Sequence, residues 1–227
     1  KQKKGSHIVV SSIEHHSVLN SARFLERLDF ETTFLPVDQY GFVEPARLAR
    51  AIRPETILVS IIHASTEIGT IEPISELAGI CKERGIIFHT DAVASVGSTP
   101  IDVNELNIDL LSLSGASVGA PKGIGALYFN KKVRLMPLIH GGIQENGGGA
   151  GTENVPAIVG FGKAAEIAAD ELPHKADQVR LLRDRLIGGI IERVPKVIRT
   201  GHPDERLPGH ASFCFEAIEG EALIFML

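Results

Sequence analysis

The sequence has no tryptophan and only two cysteines, two methionines and two tyrosines in 227 residues; aromatic residues make up 5%. Cys81 and Cys214 form no C-x-x-C pair and are too few for a disulfide framework. That excludes a small stapled scaffold and suits a reducing, cytoplasmic setting. Basic charge is scarce as well. Lys and Arg number 23 against 28 Asp and Glu, a net charge of −5, so a nucleic-acid surface is not expected. The one basic run, Lys1-Gln2-Lys3-Lys4, reads as a solvated stretch. No apolar run nears the roughly 18 residues of a membrane span, so neither a membrane segment nor a signal peptide is expected.

What is present is enough apolar material for a sizeable core, 44% hydrophobic against 22% charged residues. It is arranged as short β-branched runs alternating with amphipathic helices. "HIVVSSIE" (7–14) predicts a strand, and "SVLNSARFLERL" (17–28) a helix with Leu19, Phe24, Leu25 and Leu28 near helical spacing. "ETTFLPV" (31–37) is a strand. "EPARLARAI" (44–52) is a helix with Pro45 in its first turn, where a missing N–H costs nothing. "TILVSIIHAS" (56–65) is apolar on both faces, as a buried parallel strand must be. "PISELAGICKERG" (73–85) is a helix closed by Gly85, and strands follow at 86–92, 109–115 and 125–130.

This alternation predicts an α/β fold, a three-layer doubly wound and mostly parallel sheet with helices on both faces. The sheet unit is expected over residues 1–153. Connecting helices are expected over 154–195, interrupted near "LPHKA" (172–176). Residues 196–227 read as the start of a small α+β domain, with a strand-like tail, "HASFCFEAIEGEALIFML" (210–227). The chain begins just before a buried strand and stops on Met226-Leu227, so it is expected to be an excerpt of a larger fold. Cys81 and Cys214 read as small core residues.

Ligands of parallel sheets bind outside the carboxyl ends of the strands. The polar residues predicted there are His15 and His16, Ser65-Thr66-Glu67, Asp91, Ser114 and Ser117. Asp91 ends an otherwise apolar strand, and a carboxylate in that position is costly unless a cation or donor meets it. It either caps the next helix or faces a protonated ring nitrogen of a ligand. His15 and His16 are adjacent and point apart, so no metal site is expected of them. "HGGIQENGGGAGTEN" (140–154) and "GAPKGIG" fit neither a Walker loop nor a G-x-G-x-x-G turn.

Six blocks, "EHHSVLNSARFLE", "TILVSIIHASTEIGTIEPI", "GIIFHTDAVASVG", "APKGIGALYF", "GTENVPAIVGFGKAAEIA" and "EGEAL", together resemble the cysteine desulfurases, pyridoxal-phosphate enzymes of the class V aminotransferase fold. The resemblance covers nearly the whole chain in order. It implies a homodimer that converts L-cysteine to L-alanine and passes persulfide sulfur to an iron–sulfur scaffold protein. In that family an internal lysine carries the cofactor as a Schiff base, a carboxylate at the pyridinium nitrogen makes the ring an electron sink, and a histidine stacks on the ring. By the same resemblance His15 is the stacking histidine, Asp91 the pyridinium partner, and Ser114 and Thr152 phosphate ligands, Thr152 serving the other subunit.

Other positions depart from the family. Its Ser-x-His-Lys motif reads Ser114-Gly115-Ala116-Ser117, so the lysine position is Ser117 and covalent attachment of pyridoxal phosphate is not expected. Thr66 stands for the asparagine beside the ring hydroxyl, Ala94 for a glutamine, and Gly149-Ala150 for Arg-Ser. The glycine-rich helix start of the family would precede residue 1, and its sulfur-carrying cysteine and substrate-carboxylate arginine would follow residue 227. The resemblance implies a desulfurase-like protein of impaired activity. The alternative is an inactive homologue or a fragment that works as a structural or interaction protein.

Overall fold

The computed structural model describes residues 5–226. Five parallel strands and one antiparallel strand form the main sheet: β1 (His7–Ser11), β2 (Glu31–Leu35), β3 (Thr56–Ser60), β4 (Ile87–Asp91), β5 (Leu110–Ser114) and β6 (Gly125–Phe129). The spatial order is β2-β1-β3-β4-β5-β6, with only the β5–β6 pair antiparallel. Three helices connect them: α1 (His16–Glu26), α2 (Pro45–Ala51) and α3 (Ile74–Glu83). Beyond the sheet run the long helix α4 (Val155–Arg193), a two-stranded ribbon β7 (Val197–Arg199) and β8 (Phe213–Phe215), and helix α5 (Gly220–Met226).

Both faces of the sheet are covered, as crossover connections between parallel strands require. Side chains alternate along a strand, and β1 shows the consequence. Val9 joins the large cluster with Leu48, Leu77, Ala78, Cys81, Phe88 and Ile108 on the α2–α3 side, whereas Ile8 and Val10 meet Ala22 of α1 on the other. His7 is also buried, its Nδ1 on the Thr56 hydroxyl at 2.7 Å and its Nε2 on that of Thr33 at 2.9 Å, so it ties β1 to both neighbours. Pro45 opens α2, and Gly85 follows α3 in the left-handed region (φ 65°).

The structure corrects several sequence expectations. The stretch near 172–176 is not an interruption: α4 runs through Pro173 without a break. Good helix formers flank it, and the loss of one backbone bond in an exposed helix does not end it. The tail is strand only at Phe213–Phe215; "GEALIFM" is helical, in keeping with its Glu, Ala and Leu content. Cys81 is buried as expected, but Cys214 is exposed, because the β7–β8 ribbon has little packed against it. Strands β1 and β3 stop earlier than "HIVVSSIE" and "TILVSIIHAS" suggest: the chain turns directly after β1, whereas beyond β3 the Ile61 and His63 N–H groups still meet carbonyls of β4. Among the described residues no helix is long and apolar enough to cross a membrane.

Candidate functional site

The carboxyl rim is polar on one face of the sheet. Val10, Ser60 and His89 are lateral neighbours in register, so His89, and Asp91 two residues on, face the α1 side. His89 bridges three strands: Nδ1 lies 2.8 Å from the Ser60 hydroxyl and Nε2 2.9 Å from that of Ser112. Burial pushes the His89 pKa down, with the Asp91 charge opposing it. Asp91 pairs with Ser112 in register, which places Ser114 one step further out on the adjoining strand.

Asp91 itself is 6% exposed. Its Oδ1 accepts the N–H of Val93 at 2.9 Å, which closes a turn; no helix lies between β4 and β5, so the expected helix cap is a turn cap instead. Oδ2 takes part in none of the described hydrogen bonds, and Asp91 enters none of the described ion pairs. His15 caps α1: its Nδ1 accepts the Ser17 N–H at 3.2 Å, which leaves the proton of the neutral ring on Nε2. The ring is exposed. Thr66 is exposed in the loop after β3, its carbonyl 3.0 Å from Nε2 of His210. Ser114, half-buried, ends β5 and makes no capping bond with its hydroxyl.

Ser117 lies in the single 3-10 turn Gly115–Val118 and its side chain is exposed. The turn ends at Gly119 in the left-handed region (φ 79°), a conformation that excludes most side chains. It is closed by the Ala120 N–H to the Gly115 carbonyl and by the Gly115 N–H to the Ile124 carbonyl, both at 2.9 Å. α4 passes close to the same region: a Cβ on Gly160 would stand 2.8 Å from Cδ of Pro121. Thus β1, β3, β4 and β5 bring His15, Thr66, Asp91, Ser114 and Ser117 to one rim. Thr152 is not among them; it is exposed in the loop before α4 and no described hydrogen bond links it to the rim.

Sequence reading missed a set of buried ionisable residues behind this rim. Glu14 and Glu72 are 5% and 3% exposed, and His63 is 5% exposed. Burial, with Asp91 and Glu72 adding repulsion, raises Glu14 to about 8. Burial likewise raises Glu72 to about 8 and lowers His63 to about 4. The signal was available for Glu14, an acid three residues beyond the end of β1 and directly before a histidine. For the other two only the fold reveals the burial.

These shifts fix a pH dependence of stability. A glutamate raised from 4.5 to about 8 stabilises the fold fully below pH 4.5 and loses that contribution as the pH rises to 8. A histidine lowered from 6.5 to about 4 stabilises fully above 6.5 and loses that as the pH falls to 4. Between pH 8 and 6.5 only the acids act, each with a slope of up to about 1.4 kcal/mol per pH unit. The urea midpoint is therefore expected to rise when the pH is lowered from 8 to 6.5, and the rise to be roughly halved by Glu72→Gln. A midpoint that is flat or falls over this interval would contradict the buried, protonated state of both acids.

The mostly parallel sheet with its antiparallel edge strand matches the pyridoxal-phosphate-dependent transferase fold. The profile described as aminotransferase class-V matches residues 1–227, and the chain belongs to that family. It is 54% identical over 224 residues to cysteine desulfurase IscS of Methanosarcina thermophila and 50% identical over 224 residues to cysteine desulfurase IscS of Dictyoglomus turgidum. Each alignment takes in 99% of this chain but 55% and 57% of those proteins, so the chain spans little more than half the length of the curated relatives it matches. Among solved structures, a NifS-like protein superposes with a TM-score of 0.93 at 36% identity, covering 98% of this chain and 61% of that one. DndA from Streptomyces lividans superposes with a TM-score of 0.88 at 33% identity, covering 97% and 63%.

Class-V aminotransferases and cysteine desulfurases depend on pyridoxal phosphate. The donor set here can be tested against that cofactor. Asp91 offers a buried carboxylate with one oxygen outside the described bonds, His15 an exposed flat ring, and Ser114 a hydroxyl without a capping bond. These fit a cofactor held without a covalent link. Position 117 offers a hydroxyl, which cannot form an imine, and so does not fit the covalent form.

Proposed function

We propose that this chain is a cysteine desulfurase-like protein that holds pyridoxal phosphate non-covalently and turns over L-cysteine far more slowly than its relatives. The observation that carries this is Ser117 in the turn beyond β5, where the family presents its lysine. When bound, the cofactor supplies an electron sink for the bonds around the amino-acid Cα. In this reading Asp91 accepts the pyridinium N–H, His15 covers the ring, and Thr66 stands beside the ring hydroxyl. Ser114 donates to the phosphate, and Thr152 donates to the phosphate of a second subunit. Residues 1–153 act as the large unit, 154–195 as its connection, and 196–227 as the start of a small domain. The protein belongs in the cytoplasm, as a homodimer, and delivers sulfur to an iron–sulfur scaffold protein when active.

A second reading, an inactive homologue acting through its surface, is favoured by the exposed apolar side chains of Met136, Leu138 and Ile143, at 89%, 94% and 88% exposure.

Two measurements test the proposal. After incubation with pyridoxal phosphate and borohydride reduction, peptide mapping is expected to find no pyridoxyl-lysine. Modification of Lys122 or any other lysine, or robust production of alanine and sulfide, would sink it. Asp91→Asn is expected to weaken cofactor binding by about 10- to 100-fold, the worth of a hydrogen bond to a charged group. Unchanged affinity would remove Asp91 from the site.

A further inference from the structure

Glu14 precedes His15 and lies in the short connection between β1 and α1. Its Oε1 accepts the hydroxyl of Ser11, the last residue of β1, at 2.6 Å, and also the N–H of Ile62, just beyond β3. Its Oε2 is buried without a partner. The carboxyl group therefore ties the exits of two adjacent strands together. On one side the chain continues into His15, whose carbonyl accepts the Val18 and Leu19 N–H groups that start α1. On the other side Ile62 is followed by His63, whose N–H meets the carbonyl of Asp91 at 2.9 Å. His15 and Asp91 are thereby connected through Glu14, Ile62 and His63 by a short run of peptide and hydrogen bonds.

We propose that Glu14 is a positioning residue: its bonds to Ser11 and Ile62 fix where the β1–α1 connection presents His15 relative to Asp91. The proposal rests on the reading of His15 and Asp91 as the two groups that face the cofactor. The groups around Glu14 agree with the role. Asp91 on β4 and Glu72 in the segment before α3 are the acids that bear on it, Glu72 itself raised to about 8 by burial, and no cation pairs with Glu14 among the described residues. An acid so placed keeps its proton at neutral pH, and with Oε1 accepting twice that proton sits on Oε2. Glutamine reproduces this arrangement, its carbonyl accepting and its amide replacing the protonated oxygen. Alanine removes it and leaves the buried Ile62 N–H unpaired.

The test compares Glu14→Gln and Glu14→Ala in the whole chain, at a temperature where far-UV circular dichroism shows all three proteins folded. Two readouts are taken: amide exchange protection at Ile62 and Val18 without cofactor, and the affinity and induced circular dichroism of added pyridoxal phosphate. At pH 5 Glu14→Gln is expected to match the parent within about twofold in both, whereas Glu14→Ala loses about tenfold or more in Ile62 protection and in affinity, the cost of an unpaired buried amide. Relative to Glu14→Gln, parent protection at Ile62 is expected to fall as the pH rises from 5 to 8, which simple loss of packing would not produce. Parent-like behaviour of Glu14→Ala, or equal losses in both variants, would overturn the assignment. Failure of the unaltered protein to bind pyridoxal phosphate would overturn the reading of His15 and Asp91 instead, because amide protection tests the Glu14 bonds by themselves.

Discussion

Ser117→Lys is expected to convert a protein that releases pyridoxal phosphate on desalting into one that retains it, with a gain of about 100-fold or more in apparent affinity. An imine at position 117 makes the remaining contacts of the cofactor intramolecular, and linkage of that kind is worth about 10²–10⁴ without any new contact. The turn can accept the change: residue 117 is exposed, and the backbone bonds of Gly115 and Ala120 close the turn without help from its side chain. Borohydride reduction followed by peptide mapping should place the pyridoxyl group on residue 117 of the variant and nowhere in the parent. Ser117→Ala should behave as the parent does. If the lysine variant stays unmodified, the missing amine is not the main defect, and the changes at Thr66 and Ala94 carry more of the loss.

The second large effect concerns stability. Phe88→Ala is expected to cost about 3–5 kcal/mol, read as a lower urea midpoint at constant m-value. Phe88 is fully buried in the middle of β4, within the cluster that includes Leu77, Ala78, Cys81 and Ile108. Its backbone is held on both sides by Asp109, which accepts its N–H at 3.0 Å and donates to its carbonyl at 3.1 Å, so the strand cannot move in to fill the void. A loss of that size is a large share of the roughly 5–15 kcal/mol that ordinary domains possess. Phe129, 49% exposed on β6, is the control: its replacement by alanine should fall within about 0.5 kcal/mol. Equal losses at the two phenylalanines would mean that β4 does not hold the core assigned to it.

Much of the fold could be read from the sequence because the alternation of β-branched runs and amphipathic helices admits few topologies. The run at 56–65 reads as apolar on both faces and that at 86–92 as a buried strand, and they became central strands. The tail misled for the opposite reason. "EALIFML" is apolar after its first residue and matches neither strand nor helix periodicity, so local pattern could not decide it. Pro173 misled because a proline inside a helix is a signal to stop, which a long exposed helix can override. At the rim, Asp91 and His15 stood out as polar residues where apolar ones were due. Glu14 offered a weaker signal that went unread, and His63 and Glu72 offered none, since their burial depends on which loops cross the strand ends, and no window of sequence contains that.

The turn beyond β5 has one more consequence. Its shape comes from main-chain bonds, from the left-handed Gly119 and from the close pass of α4 at Gly160, none of which involves the side chain at 117. On the proposed reading, a change at 117 alters the chemistry on offer at the rim while the bonds that shape the turn stay as they are.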